Sequence, residues 1–265
     1  MKKETAELMR LVREKRPLVH HITNYVTVNE CANMTLCAGG SPVMSDSPGD
    51  VEGIVGIASA LVINIGTLTD QIVEAMIIAG RAANRMMRPV ILDPVGAGAT
   101  GYRMAMTQRI LDEIKISIIK GNAGEIGALA GMGGRTRGVD SDGLDGDPVE
   151  ACISLSKRTG AVVVMTGAVD IISDGDRTVA VNNGHEMMTS VSGTGCAAAS
   201  VIGCYASCTN DMVLASAAAL AVFNIAGSKA AKRSKGPGSF IMNLRDELAN
   251  LTPEEVVPLA NIRLL

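Results

Sequence analysis

The chain has 265 residues, 47% of them hydrophobic, which is enough for a sizeable core and too apolar for a disordered polymer. Its 24 basic and 27 acidic residues leave a net charge of −3, so the basic face that grips nucleic-acid phosphates is missing. With three tyrosines, two phenylalanines and no tryptophan, base-stacking platforms and aromatic cages are poor fits, leaving small molecules or other chains as partners.

The charged N-terminal stretch is helix-periodic through Leu8, Leu11 and Val12 and lacks the apolar centre of a secretion signal. Strands are predicted over residues 18–22, 60–65, 89–92, 116–119 and 161–165, several of them apolar almost throughout, as strands covered on both faces are. Between them, residues 25–38, 68–87 and 148–159 read as helices, with Thr69 and Asp147 as caps and Pro148 at a first helical position. Residues 131–147 are rich in Gly and Asp and read as a surface loop, without the closing Glu of a calcium-binding hand. Residues 168–183 predict two strands joined at Asp174, Gly175 and Asp176, an antiparallel edge to the sheet. Two helices over 196–207 and 212–230, a Gly-Pro-Gly turn and a helix near 240–250 complete the pattern.

Alternating strands and helices predict an α/β fold around a mostly parallel sheet, and the lack of any linker predicts one domain over residues 1–265. The apolar region 196–230 is broken at Asn210 and Asp211, and neither half reaches the roughly 20 apolar residues of a bilayer span, so no membrane segment is expected. Six irregularly spaced cysteines without a CxxC pair suit a reducing, cytoplasmic setting, with Cys204 and Cys208 as buried thiols.

Four stretches carry chemistry. In LDPVGAGATG, Gly96, Gly98 and Gly101 spell a GxGxxG that by itself suggests a dinucleotide, hence an NAD-linked oxidoreductase. Asp93-Pro94 stiffens the strand exit, however, and no acidic residue ends the next strand, so Asp93 takes the larger role, as a metal-linked carboxylate in the cleft or as a turn cap. In SIIKGNAGE, Asn122 and Glu125 share one face of a helix start, where they hold Mg²⁺ through water or form a capping box, or both. Lys120 either neutralises a phosphate or is solvated at the strand exit.

In VSGTGCAAAS, Gly193 and Gly195 wrap the chain around the start of an Ala-rich helix whose free amides favour an anion such as a transferring phosphoryl group. Cys196 stands where a helix start ordinarily lowers a thiol pKa, and so reads as a base or nucleophile, or simply as a small buried residue. In residues 22–53, Asn24, Asn29, Asn33 and Met44 suit a small heteroaromatic ligand, or serve as caps and core filler. Adjacent His20 and His21 face opposite ways on a strand, His185 stands apart, and no metal triad emerges. No GxxxxGK[ST] occurs, which removes a Walker-type nucleotide loop.

Taken together, ITNYVTVNECAN, SPVM, LDPVGAG, KGNAGE, SGTGC and GPGSF resemble the hydroxyethylthiazole kinase family of the ribokinase-like superfamily, continuously from about Pro17 to about Asn250. The resemblance implies a three-layer αβα fold without a separate lid domain. It implies transfer of the γ-phosphoryl group of ATP to the primary alcohol of 4-methyl-5-(2-hydroxyethyl)thiazole, with Mg²⁺, or within the same fold a kinase or dehydratase for another small heterocycle. It further implies that Met44 and Gly193 contact the thiazole with Asn24 nearby, that Lys120, Asn122 and Thr166 bind ATP, and that Asp93 and Glu125 serve magnesium. Gly193, Gly195 and Cys196 then form the catalytic anion hole, Cys196 standing where related sugar kinases carry an Asp base. A homotrimer with each site between two subunits is implied as well, so that the Met44 segment serves a neighbour. Ser192 replaces an expected Thr, Gly124 an expected Ser that would firm the helix start, and the tail after Leu251 is unmatched.

Overall fold

A computed structural model describes residues 1–137 and 140–265. In chain order the elements are α1 (Lys2–Lys15), β1 (Leu18–Ile22), α2 (Val28–Ala38), β2 (Ser41–Met44), α3 (Val51–Ile57), β3 (Ala60–Asn64), α4 (Asp70–Arg85), β4 (Val90–Asp93), α5 (Gly101–Glu113), β5 (Ile118–Asn122), α6 (Ala123–Ala130), β6 (Gly134–Arg137), β7 (Asp140–Leu144), α7 (Pro148–Thr159), β8 (Val162–Thr166), β9 (Asp170–Ser173), β10 (Thr178–Val181), α8 (Thr194–Ala206), α9 (Met212–Arg233), α10 (Pro237–Asn250), α11 (Pro253–Leu259) and β11 (Ile262–Leu264).

Nine strands form one sheet in the order β11-β10-β9-β8-β5-β4-β3-β1-β2, parallel from β2 to β8 and antiparallel beyond. Alternate residues of each strand feed two cores, which explains the nearly continuous apolar runs. Val62, Ile91 and Val164 pack with α1, α2, α8, α9 and α10, whereas Ile63, Leu92 and Val163 pack with α3, α4, α5, α6 and α7. The result is the three-layer αβα arrangement. Thr69, Asp147 and Asn122 cap their helices as predicted, and Asn122 with Glu125 completes a capping box, so Gly124 leaves that helix start intact.

Three expectations need correction. Residues 131–147 are not simply a loop: β6 and β7 pair antiparallel and lie against α6, while residues 138–139 of that stretch fall outside the described residues. Helix α9 runs 22 residues, long and apolar enough by length and composition to cross a membrane, contrary to the reading of that region. Its side chains from Val213 to Ala231 are mostly buried against the sheet and its neighbours, so it is the core helix of one layer. Cys204 is buried as expected, whereas Cys208 is only half-buried; all six cysteines are free thiols.

Candidate active site

The parallel strands deliver polar residues to one side of the sheet. Asn24 follows β1, Asn64 closes β3, Asp93 closes β4, Asn122 closes β5 and Thr166 closes β8. Register places Asn64 beside Asp93 and Asn122 beside Thr166. Open α/β sheets bind ligands in the crevice beyond such carboxyl ends, where helices depart to opposite faces. Here the crevice is a cavity of about 980 Å³, room for two small substrates together.

Asn24, Asp93, Lys120, Asn122, Glu125, Thr166, Gly193, Gly195 and Cys196 all line it. Of the site residues the resemblance implied, Met44 is not in the lining; it ends the edge strand β2, half-buried, and the candidate amides Asn29 and Asn33 of α2 also lie outside the lining, Asn33 Nδ2 donating to the Asn29 carbonyl at 2.8 Å. His20 and His21 lie within β1, one strand in from the sheet edge, both buried; His20 Nε2 meets the Ser45 carbonyl at 2.8 Å and His21 Nδ1 that of Val19 at 3.0 Å. Burial lowers both of their pKa values, that of His21 to about 4. His185, set aside in the sequence, does reach the cavity wall. The GxGxxG glycines do not: Gly96 and Gly98 adopt left-handed turns, and the Gly96 N–H donates to Glu125 Oε1 at 2.8 Å.

The charges are concentrated at the floor. Lys120 Nζ lies 3.3 Å from Asp93 Oδ1, both side chains almost fully buried. Burial works against the Lys120 ammonium, but Asp93, Glu125 and the Cys196 sulfur attract it and hold its pKa above the usual lysine value. Glu125 shows the converse: burial and then the nearby Asp93 raise its pKa, against the pull of Lys120. Both Glu125 oxygens are occupied, accepting the N–H groups of Gly96 and Asn122 at 2.8 Å each, so this carboxylate fixes two loops at once.

Above the floor stands the start of α8. Its N-cap, Gly193, sits at φ +89° and offers no side chain to satisfy the first-turn amides. A Cβ added at Gly195 would come within 3.1 Å of Lys120 Nζ, which shows how closely the ammonium approaches this turn. A cation and a set of helix-start N–H groups therefore face the same space, and both favour an anion.

Cys196 lies in that first turn, and its sulfur lies 3.2 Å from Asn64 Nδ2 and 3.5 Å from Asn24 Nδ2. The expectation of a lowered thiol pKa is overturned: burial first, then the Asp93 carboxylate, push it up to about 12 despite Lys120. The helix start favours a thiolate, but desolvation beside a carboxylate opposes it more strongly. At neutral pH the group is a thiol.

Several contributors had no assigned role in the sequence. Asn64 donates to Asp93 Oδ2 at 2.6 Å. Arg103 clamps the carbonyls of Ile65, Gly66 and Val95 at 2.8 Å each, joining the loops after β3 and β4. On the far wall Asp170 accepts the Gly167 N–H at 3.0 Å and Asn224 Nδ2 at 2.7 Å, and burial raises its pKa to about 6. A polar residue interrupting an apolar run, as in ALVINI or VDII, was the available signal for Asn64 and Asp170.

Comparison with known proteins agrees with this architecture. The model of the Hydroxyethylthiazole kinase family matches residues 9–254. Hydroxyethylthiazole kinase of Methanosphaerula palustris is 54% identical over 262 residues, 99% of each chain, so its likeness runs through the tail after Leu251 that the motifs leave unmatched. The solved structure of the hydroxyethylthiazole kinase protein from Pyrococcus horikoshii OT3 superposes with a TM-score of 0.91 at 39% identity, covering 98% of each chain. A ribokinase-like superfamily protein from Enterococcus faecalis V583 shares the fold alone, with a TM-score of 0.67 at 12% identity over 91% of this chain and 89% of its own. A family match over most of the chain, near-complete relatives and a ribokinase-like sheet whose strand ends carry the family's motifs together place this chain in the hydroxyethylthiazole kinase family.

Proposed function

We propose that this cavity transfers the γ-phosphoryl group of ATP to the primary hydroxyl of 4-methyl-5-(2-hydroxyethyl)thiazole, serving thiamin synthesis or salvage. The observation that carries the reading is the Lys120 ammonium set against the uncapped start of α8, a cationic seat for phosphate oxygens at the cavity floor. Gly193, Gly195 and Cys196 line the space where the terminal phosphoryl group moves; Lys120, Asn122 and Thr166 bind the nucleotide; Asn24, Gly193 and a neighbouring subunit's Met44 contact the thiazole.

Asp93 and Glu125 fit Mg²⁺. They present hard oxygen donors beside the phosphate seat, and no third His, Cys, Asp or Glu joins them as a metal group among the described residues. That sparse set suits an ion that keeps most of its ligands as water and phosphate. Bound with the nucleotide, Mg²⁺ supplies charge neutralisation. Glu125 spends both oxygens on backbone amides and Asp93 accepts from Asn64 and Lys120, so each would serve the ion through water or through a remaining lone pair.

The chain's own work is alignment and electrostatic stabilisation, which dominate phosphoryl transfer through a loose transition state. The first-turn amides of α8 and Lys120 hold the transferring oxygens. In such a transition state the alcohol keeps its proton until late, so a strong base is unnecessary. Cys196, held as a thiol, shapes the hydroxyl's seat.

Cys196→Ala is therefore expected to lower kcat by no more than about 100-fold, the lower range of general-base effects, with thiazole binding near normal. Steady-state kinetics with a thiazole titration checks it; total inactivity in a folded variant would overturn the ranking of amides over thiol. For the reaction itself, mass spectrometry of the alcohol after incubation with ATP and Mg²⁺ should show the mass of one phosphoryl group. An unchanged thiazole alcohol alongside a phosphorylated different heterocycle would reassign the substrate.

Residues 1–265 act as one kinase domain. The half-buried Met44 on edge strand β2, with Tyr25 78% and Val26 65% exposed beside the cavity mouth, supports a homotrimer in which each cavity is completed by a neighbour. A cytoplasmic enzyme with small-molecule partners, and neither nucleic acid nor membrane, suits the near-neutral charge balance and the buried core helix α9.

A further inference from the structure

We propose that Asn64 is the positioning residue of this site, its side-chain amide locking the Asp93 carboxylate and the Cys196 sulfur into one arrangement beneath the reacting hydroxyl. The inference rests on the kinase reading for its link to rate, and on geometry for the rest. Asn64 ends β3, is 2% exposed and lies outside the cavity lining, so it acts only through its neighbours.

A side-chain amide has two N–H donors and a carbonyl oxygen with two lone pairs. Asn64 uses all of this capacity. Its Nδ2 donates to Asp93 Oδ2 at 2.6 Å and to Cys196 Sγ at 3.2 Å. Its Oδ1 accepts Asn24 Nδ2 at 2.9 Å and the Gly66 N–H at 2.9 Å. Four partners leave one orientation, because a flip would set oxygen against the Asp93 carboxylate and N–H against two other donors.

Two consequences follow for the residues that do line the cavity. Asp93 has one partner per oxygen, Asn64 on Oδ2 and Lys120 on Oδ1 at 3.3 Å, so the plane of its carboxylate is set from both sides. The Cys196 sulfur receives N–H groups from Asn64 and, at 3.5 Å, from Asn24, so it serves as acceptor and its own hydrogen must point elsewhere. The charged and titratable groups facing that sulfur are Asp93 from β4, Lys120 from β5 and Cys31 from α2, with the Thr27 hydroxyl beside them. Without Asn64, carboxylate and sulfur would face each other with no shared donor between them.

Asn64→Asp is the sharpest test. It keeps size and acceptor atoms and removes both N–H groups; even a proton shared with Asp93 would restore only one of the two donations. We expect kcat to fall by about 100-fold, as when one preorganised donor is lost, with KM for the thiazole changed less than about threefold. A structural role alone would not move a second readout, the rate at which iodoacetamide alkylates Cys196 at pH 9, followed by mass spectrometry with the half-buried Cys208 as internal reference. Losing a donor to sulfur and gaining a carboxylate beside it both disfavour the thiolate, so that rate should fall at least about tenfold, one unit of thiol pKa, while Cys208 is unaffected; the uncharged Asn64→Ser variant isolates the donor's share. Asn64→Ser, which keeps one hydroxyl donor, should show both effects at smaller size and serves if the Asp variant does not fold.

Unchanged Cys196 alkylation, or unchanged kcat, in a folded variant overturns the proposal. If the wild type phosphorylates no thiazole alcohol and yet the alkylation shift appears, the substrate reading fails and the positioning role stands.

Discussion

Asp93→Asn should lower kcat by about 10²- to 10³-fold, the range seen when a preorganised electrostatic group is removed, and should raise the magnesium concentration needed for half-maximal rate. The carboxylate is 0% exposed at the end of β4, with Lys120 Nζ 3.3 Å from one oxygen and Asn64 Nδ2 2.6 Å from the other. An amide in its place has one oxygen and one NH₂, so one of those two donors must face another donor. If the oxygen stays with Asn64, Lys120 keeps Glu125, the more distant Asp170 and the Cys196 dipole, and its ammonium is held less well. Breaking a buried pair from one side costs about 3–5 kcal/mol in closed cores. This pair borders an open cavity that water can enter, so the loss of stability should be smaller and the loss of rate should dominate. Magnesium titrations of kcat for wild type and variant check the metal link directly. A lower rate with an unchanged titration would leave Asp93 as the partner of Lys120 and remove it from the metal site; an unchanged rate would remove it from the reaction.

The same neighbourhood shows what was legible in the sequence and what was not. The strand ends were readable because apolar runs such as ALVI and PVIL are bounded by residues that stop them, and the polar residues at those stops fall into the crevice by topology alone. The capping box at Asn122 and Glu125 was readable because three-residue spacing makes it local. Cys196 was placed correctly at a helix start, but its acidity was misjudged. Burial comes from Asn24, Asn64 and Asp93, which lie more than 100 residues away in the chain and meet it only in the folded sheet. Helix α3 escaped notice because VEGIVGI carries two glycines in a seven-residue helix, and β6 and β7 because GRTR and DSDGL are rich in Gly, Asp and charged residues and hold a single β-branched residue, Thr136, and no aromatic. Strand β11 completes the sheet by pairing with β10 across some 80 residues of sequence, a contact that no local pattern announces. Met44 was legible as the end of a strand, but in the folded chain it closes edge strand β2 outside the cavity lining, a separation that local sequence does not reveal.

Gly193→Ala is expected to damage both rate and stability through a single added methyl group. At φ +89° the residue occupies left-handed space, where a side chain costs of the order of 1–3 kcal/mol, and the new Cβ would lie 2.7 Å from Thr27 Cγ2 and 3.2 Å from Thr27 Cβ. Rotating the Thr27 side chain would not move its Cβ, 3.2 Å from the new methyl, and the backbone that carries it is pinned. Thr27 is the N-cap of α2, its N–H donates to Asn24 Oδ1 at 3.0 Å, and its carbonyl accepts the Cys31 N–H at 2.9 Å. The loop must therefore move, and with it the first-turn amides of α8 that face the phosphate seat. A displacement of even ~1 Å at such a site costs about 100-fold in rate. Unfolding temperature should also drop, by roughly 2–4 °C for each kcal/mol in a chain of this size class. The double variant Gly193→Ala with Thr27→Ser separates the two causes. Serine lacks the Cγ2 methyl, so the clash is relieved while the backbone strain persists; kcat should recover in part and the melting temperature much less. Wild-type kcat and melting temperature in the single variant would mean that the Gly193 turn neither needs its glycine nor shapes the anion seat, and the assignment of phosphoryl transfer to the start of α8 would fall with it.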